Sequence, residues 1–241
     1  MYYFVCYGQL VKLAYSCSVK NMLAIDIITD EIPPLKTSDV GTRALVWMDE
    51  FKVSHLPVLE GRSYYGLLSE ANVMDLSDPE SSIGEAMDEM ERPFVFDSQH
   101  IFDVIKLMGE EHLSVVPVID DKGIFLGAIS IFEVIKQIGN VSGITDPGSV
   151  VILEMPKRNY SLHEIAKIVE ENEARILSSF SHSAADLDNM EVTLKIDRAE
   201  ISGILQSFER WEIRVKASFQ GSQYQEDLQD RYEELMKYIN M

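Results

Sequence analysis

Side chains that could bind a metal ion or transfer protons are scattered along this sequence. The histidines show no metal-ligand spacing with one another or with the two cysteines; they are His55, His100, His112, His163 and His182. Adjacent acids such as Glu110-Glu111 and Asp120-Asp121 point apart on a helix or turn, so they do not form a catalytic dyad. A glycine-rich phosphate loop and a nucleophile elbow are also missing. We therefore predict no catalytic residue and no metal site.

Two serine hydroxyls, in contrast, close a phrase that occurs twice. Gly66-Leu67-Leu68-Ser69 matches Gly127-Ala128-Ile129-Ser130. The preceding run Ser54-His55-Leu56-Pro57-Val58-Leu59 matches Ser114-Val115-Val116-Pro117-Val118-Ile119 at a spacing of 60 residues, which becomes 61 before Gly127. An internal repeat means that one supersecondary unit is used more than once. Two copies without a third predict a pseudo-symmetric pair that closes on itself.

The same order of elements is predicted in both copies. In the first, Thr37-Ser38-Asp39 caps a helix over about 39–50, and strands over 56–59 and 64–68 flank a turn before Ser69 opens a short helix. In the second, Ser98 caps a helix, strands over 115–119 and 124–129 flank a turn, and Ser130 opens the last helix. Proline cannot donate a hydrogen bond to a sheet, so Pro57 and Pro117 are predicted at a strand start or an edge.

This arrangement resembles a pair of cystathionine-beta-synthase (CBS) domains, the Bateman module, with repeats expected at 22–80 and 81–139. The resemblance implies an adenosyl ligand such as AMP or ATP in the cleft between the repeats. In that family the hydroxyl, here Ser69 or Ser130, meets ribose or phosphate. An aspartate three residues later accepts hydrogen bonds from the ribose diol, and those positions hold Asn72 and Glu133 here.

The two copies divide the features that such a ligand needs. The residue before Leu-Pro-Val, which often meets phosphate in the family, is His55 in the first copy and Val115 in the second. Glu133 keeps a carboxylate, whereas Asn72 has lost the charge that strengthens a bond to a hydroxyl. We therefore expect the second cleft to be the better nucleotide site. The candidate ligand-binding residues are Ser130, Glu133, Val116, Pro117, Ser69, Asn72, His55 and Pro57. The alternative is that they only maintain turns and helix caps.

The second half of the chain predicts a different domain. Residues 140–148 are rich in turn formers and indicate a linker. Over 149–220 the pattern gives βαββαβ, the ferredoxin-like order, with Ser161 and Glu164 capping the first helix and Asp197 and Glu200 the second. This order resembles an ACT domain, a module that commonly binds amino acids at subunit interfaces. The loop over 156–160 lacks the glycine usual in that family, and its Lys157 and Arg158 could attract an anion.

Composition restricts the partners. Twenty-one basic and 40 acidic residues give a net charge of -19, which repels nucleic acid and anionic membranes. The acid-rich stretch 69–91 is a solvated connector or a docking surface for a basic partner. Cys6 and Cys17 form no disulfide framework and suit a reducing cytosol. No segment reaches the ~20 apolar residues of a membrane span.

The two ends of the chain lie outside these domains. Residues 1–21 are interpreted as an N-terminal extension or the product of an upstream start site, because the first repeat begins naturally at Met22. Residues 221–241 predict a C-terminal helix with one apolar face. Its apolar residues are Leu228, Tyr232, Leu235 and Ile239.

The sequence as a whole predicts an α+β, cytoplasmic, non-enzymatic regulatory protein without a permanent cofactor. The CBS resemblance implies a homodimer in which an adenine nucleotide bound between the repeats shifts the population of conformations offered to a regulated protein. The alternative is a ligand-free dimerisation or interaction scaffold. The whole arrangement resembles the AcuB-like acetoin utilisation family.

Overall fold

The computed structural model describes residues 22–76, 78–84, 90–183, 188–220 and 236. Its contacts divide the chain into two compact units, with the boundary between Val134 and Ile135. The predicted N-terminal extension lies outside the described residues, and so does the predicted C-terminal helix apart from Met236. Part of the acid-rich stretch, residues 77 and 85–89, also lies outside them.

The two repeats fold alike, as predicted, and lie in the first unit except for residues 135–141, which the contacts assign to the second. The first repeat consists of β1 (Leu35–Lys36), α1 (Gly41–Phe51), β2 (His55–Glu60), β3 (Ser63–Ser69) and α2 (Glu70–Met74). The second consists of β4 (Val95–Phe96), α3 (Ile101–Glu111), β5 (Val115–Ile119), β6 (Phe125–Ser130) and α4 (Ile131–Val141). Each repeat forms a three-stranded sheet in which the short first strand is parallel and the last strand antiparallel to the central one.

The helices follow the predicted apolar spacing, but their caps differ from the prediction. Ser38 and Ser98 are not the N-caps; Val40 and His100 occupy those positions. The Asp39 carboxylate instead accepts a hydrogen bond from the Lys36 N–H at 2.8 Å. A serine, threonine or aspartate side chain before a helix can accept a hydrogen bond either from the helix or from the preceding turn. The Asp39 side chain accepts one from the preceding turn.

Pro57 and Pro117 do not lie on edge strands, because β2 and β5 are the central strands of their sheets. The prediction of an edge position was therefore wrong. The pairing of β1 with β2 begins only at Val58, and that of β4 with β5 only at Val118. Each proline thus lies one residue before its strand gains a second neighbour, where a missing N–H is tolerated.

An approximate two-fold axis relates the repeats. The Tyr64 N–H donates to the Gly123 carbonyl at 3.2 Å, and the equivalent Phe125 N–H donates to the Arg62 carbonyl at 3.1 Å. Equivalent residues therefore exchange equivalent hydrogen bonds, as a two-fold relation requires. The predicted pseudo-two-fold pair is confirmed.

The segment before the first strand of each repeat pairs with the last strand of the other repeat. The Leu67 N–H of β3 donates to the Glu91 carbonyl, which precedes the second repeat, at 2.9 Å. The Ala128 carbonyl of β6 accepts a hydrogen bond from the Thr29 N–H, which precedes the first repeat, at 2.9 Å. Val115 and Ala128 also belong to the apolar cluster of the first repeat. The two repeats consequently share backbone pairing and core.

The second unit has the predicted ferredoxin-like order. It consists of β7 (Ser149–Pro156), α5 (Leu162–Glu171), β8 (Ile176–Ser183), β9 (Asn189–Ile196), α6 (Ser202–Arg210) and β10 (Arg214–Phe219). Its antiparallel sheet has the order β10-β7-β9-β8. Alternate residues of β7 and β9 are buried with the apolar faces of α5 and α6.

The caps of this unit agree with the prediction in one helix and not in the other. The Ser161 hydroxyl accepts a hydrogen bond from the Glu164 N–H at the start of α5, as predicted. Asp197 does not cap α6, whose N-cap is Ile201. The Asp197 carboxylate accepts a hydrogen bond from the Arg175 N–H at 2.8 Å, and the Glu200 carboxylate accepts one from the Ser202 N–H.

Candidate functional site

The predicted site residues gather at one end of each hairpin. His55 is the strand partner of Ser69 across β2 and β3, and Val115 is the partner of Ser130 across β5 and β6. Asn72 and Glu133 follow in the first turns of α2 and α4. The structure thus places a hydroxyl, a helix N-terminus and a polar side chain together in each repeat.

In the first repeat these groups satisfy one another. The Ser69 hydroxyl accepts a hydrogen bond from the Asn72 N–H at 3.1 Å. The Asn72 side-chain carbonyl accepts hydrogen bonds from the Ser69 N–H at 3.0 Å and from the Ser69 hydroxyl at 2.6 Å. An amide oxygen has two lone pairs, and both are used here. Asn72 therefore closes a capping box and has no further acceptor to offer a ribose.

In the second repeat the same position carries more acceptor capacity. The Ser130 hydroxyl accepts a hydrogen bond from the Glu133 N–H at 3.2 Å. Ser130 is only 8% exposed, and Glu133 is half-buried in the first turn of the 11-residue helix α4. A carboxylate offers about four lone-pair sites, and a helix N-terminus favours its negative charge. The second repeat thus has a charged carboxylate beside its helix cap, where the first repeat has a neutral amide.

His55 is neutral and engaged between the repeats. Its Nδ1 lies 3.0 Å from the Ser54 hydroxyl and 3.0 Å from the Ser114 hydroxyl, and it accepts a hydrogen bond from the Ser114 N–H at 3.3 Å. Burial lowers the pKa of His55, and the nearby Glu91 carboxylate opposes that shift only in part. A neutral ring provides no charge for a phosphate.

The remaining predicted residues contribute backbone at most. Val116 is completely buried, and Pro57 and Pro117 are buried as well. Their side chains therefore present little surface to a ligand.

The structure adds a feature that the sequence analysis missed. Ser54 and Ser114, the first residues of the repeated phrase, meet at the approximate two-fold axis with their hydroxyl oxygens 3.3 Å apart. A cavity of about 530 Å³ opens beside them, lined mainly by α1 and α2. The signal in the sequence was the identical serine at the start of both phrases. Their contact could be recognised only once the axis was known.

The second unit contains a larger cavity, of about 640 Å³, around the loop between β7 and α5. Lys157–Asn159 form a 3₁₀ turn in this loop, Arg158 lines the cavity, and Arg214 at its wall pairs with Glu154 at 3.0 Å. Arginine and glutamate side chains line it together, so it does not present a simple anion site. Its lining residues include Tyr160, Glu164, Trp211 and Glu212.

Metal-ligating side chains do not converge anywhere in the described part of the chain: no three His, Cys, Asp or Glu residues form a metal-binding group there. Among the described helices, none is both long and apolar enough to cross a membrane.

The chain was compared with family models, curated proteins and solved structures. The similar solved structures include a CBS domain pair/ACT domain protein from Thermotoga maritima, with a TM-score of 0.44 and 20% identity over 49% of this chain and 98% of that chain. They also include CBSX2 in complex with AMP, with a TM-score of 0.43 and 21% identity over 50% of this chain and 98% of that chain. No curated protein matches the chain in sequence. Residues 92–140 match the family model of the CBS domain, so the chain contains a CBS domain that covers the second repeat.

Proposed function

We propose that this protein is a regulatory module whose paired CBS repeats bind an adenine nucleotide in the second repeat and pass its occupancy to a regulated protein. One observation carries the proposal. Glu133 places a negatively charged carboxylate, a stronger acceptor for a hydroxyl than an amide, beside the buried Ser130 hydroxyl, whereas the counterpart position in the first repeat holds the neutral Asn72. The CBS-domain match lies on this same repeat.

The charges favour a ligand with few phosphates. The strand position that meets phosphate in the family holds neutral His55 in the first repeat and Val115 in the second. The chain as a whole carries a charge of -19. A ligand that relies on its ribose for binding, such as AMP or the cationic S-adenosylmethionine, therefore suits the site better than ATP.

The test is a thermal-shift and calorimetric titration with AMP, S-adenosylmethionine and ATP. A ligand that binds only the folded state stabilises it by about 2.7 kcal/mol at a concentration of about 100 times Kd. We expect AMP or S-adenosylmethionine to raise Tm at a stoichiometry of one per chain. Glu133→Ala should weaken binding about tenfold or more, because a hydrogen bond to a charged group contributes about 1.5–3 kcal/mol.

Asn72→Ala is the matched control. It removes the polar group at the equivalent position of the first repeat and is expected to lower Tm without changing nucleotide affinity. The proposal is wrong if no adenosyl ligand raises Tm, or if both substitutions weaken binding equally.

A second function is supported by the exposed apolar residues of the repeats. Phe102 on α3 is 66% exposed and Phe132 on α4 is 68% exposed. Ile131 and Ile135 beside Phe132 are exposed as well, and a contiguous exposed apolar surface is typical of association sites. Together with the closed capping box of the first repeat, they favour a ligand-free dimerisation scaffold. A dimer in sedimentation that persists in Glu133→Ala, with no response to any nucleotide, would support this alternative.

A further inference from the structure

The two repeats meet through a junction of three residues at the approximate two-fold axis. The Ser54 N–H donates to the Ser114 hydroxyl at 3.0 Å, and the two hydroxyl oxygens lie 3.3 Å apart. His55 Nδ1 lies 3.0 Å from the Ser114 hydroxyl and accepts a hydrogen bond from the Ser114 N–H. All of these groups are partly buried. The Ser114 hydroxyl is therefore the centre to which the first repeat is bonded.

The same two serines hold the N-termini of the helices that follow the strands. The Ser54 carbonyl accepts a hydrogen bond from the Glu70 N–H, the first residue of α2, at 2.9 Å. The Ser114 carbonyl accepts one from the Ile131 N–H, the first residue of α4, at 3.0 Å. A continuous hydrogen-bonded path thus runs from α4 through Ser114 and Ser54 to α2.

We infer that this junction, which we call the serine junction (Ser54, His55 and Ser114), couples the N-terminus of α4 to that of α2. A change at the start of α4 moves the Ser114 backbone, and the Ser114 hydroxyl carries that movement to Ser54 and so to Glu70. The inference rests on the proposed function for its natural trigger, nucleotide bound at Ser130 and Glu133. The coupling itself needs no ligand.

The junction is asymmetric, so the two serine hydroxyls contribute unequally to the coupling. His55 supplies an acceptor from the first repeat, whereas Val115, its counterpart, has no polar side chain. Three groups of the first repeat consequently lie within hydrogen-bonding distance of the one Ser114 hydroxyl: the Ser54 N–H, the Ser54 hydroxyl and His55 Nδ1. Loss of the Ser114 hydroxyl leaves the partly buried Ser54 N–H without its acceptor. Loss of the Ser54 hydroxyl leaves the hydrogen bond from the Ser54 N–H to the Ser114 hydroxyl in place.

The experiment is amide hydrogen exchange of Glu70 and Ile131, detected by NMR in the full-length chain. In the ligand-free protein, Ser130→Ala removes the cap of α4. It should speed exchange at Ile131 and, through the junction, at Glu70 by about fivefold, the factor that one net hydrogen bond gives in an opening equilibrium. With Ser114→Ala added, the response at Glu70 should be lost while that at Ile131 remains.

Ser54→Ala is the matched control and should leave the Glu70 response intact. An unchanged Glu70 amide in Ser130→Ala, or an equal Glu70 response with and without the Ser114 hydroxyl, would overturn the inference. A parallel arm adds AMP to the wild-type chain. Slowed exchange at Ile131 without slowing at Glu70 also overturns the coupling. No effect of AMP at either amide counts against the proposed function and leaves the ligand-free result to decide the coupling.

Discussion

The two repeats of the first unit have the same backbone and different side-chain chemistry. Both pair a short parallel strand and a hairpin in the same register, and both helices α1 and α3 end in a left-handed residue, Lys52 and His112. They differ at the third residue of α2 and α4. Asn72 in α2 accepts hydrogen bonds from the N-cap Ser69, whereas Glu133 in α4 carries a carboxylate. They also differ at the axis, where only His55 offers a ring nitrogen. Symmetry thus preserves the backbone, and the departures from it place a carboxylate in the second repeat and a ring nitrogen in the first.

The largest effect on stability should come from Gly66 in β3 and Gly127 in β6, where the segments before the repeats pack closely against the strand backbone. A methyl group at Gly127 would overlap the Ile28 side chain, whereas at Gly66 it would lie 3.1 Å from the Met90 Cβ and 3.2 Å from the Glu91 carbonyl. Overpacking of a core typically costs about 1–3 kcal/mol. We expect Gly127→Ala to lower the free energy of unfolding by an amount near the upper end of this range, and Gly66→Ala by an amount near the lower end.

Urea denaturation followed by Trp47 fluorescence measures this difference, with Trp211→Phe as the background because the chain has two tryptophans. Gly109→Ala is the control, since nothing lies within 4 Å of the added methyl group. Gly109 lies inside α3, so this substitution should stabilise the fold by about 0.5–1 kcal/mol. Equal losses at the two strand glycines would contradict the difference between the repeats.

A smaller effect is expected at the helix caps. Ser130→Ala leaves the Glu133 N–H without its acceptor in a half-buried setting. Ser69→Ala likewise removes the acceptor of the Asn72 N–H, but there the Asn72 side chain still accepts the N–H of residue 69. Loss of a serine N-cap costs about 0.5–2 kcal/mol, and we expect Ser130→Ala to cost the larger part of that range. The same urea titration measures both variants. A larger loss in Ser69→Ala would show that the first repeat depends more on its cap.

The smallest effect concerns pH and tests the asymmetry at the axis. Burial holds the pKa of His55 below its ordinary value in the folded state, while the unfolded ring titrates near about 6.5. Below about pH 6.5 the unfolded chain therefore binds more protons at this position, so the contribution of His55 makes the fold less stable as pH falls towards the folded pKa. Above that window the contribution no longer changes.

His55→Gln keeps an acceptor for the Ser114 N–H but does not titrate. We expect Tm of this variant to fall less than that of the wild type when pH is lowered from about 7.5 to about 5.5. The other four histidines are present in both proteins and provide the common background. Identical pH profiles would show that burial does not lower the pKa of His55.

Much of this fold could be predicted from sequence periodicity. The helical spacing of Ala44 and Met48, and of Val104 and Met108, marked buried faces that the structure confirms. The repeated phrase predicted the two hairpins, and the βαββαβ pattern predicted the second sheet. These features depend on neighbours close in sequence, and local patterns record them directly.

Most of the errors arose where distant parts of the chain decide. Pro57 was expected at a strand start or an edge because proline cannot donate to a sheet, and the sequence does not show that β1 pairs with β2 only from Val58 onwards. Asp197 was interpreted as a helix cap, but its carboxylate accepts a hydrogen bond from the N–H of Arg175, 22 residues earlier in the chain. The error at Asp39 was local, because its carboxylate closes the turn that begins at Lys36. In the site, the sequence identified Ser130 and Glu133 as candidates but could not show that Asn72 is used by its own cap. The contact of Ser54 with Ser114 depends on an axis that no local pattern encodes.

The crossing of the leading segments has a consequence for how the chain becomes structured during synthesis. Thr29 emerges from the ribosome before any of the first repeat, yet its strand partner Ala128 emerges near the end of the second. The residues around Ile28 must therefore remain unpaired while nearly the whole first unit is translated. A chain shortened from its N-terminus up to Thr29 would lose the neighbour of β6 but keep Ile32 of the first core, so the damage would fall on the repeat farthest from the cut.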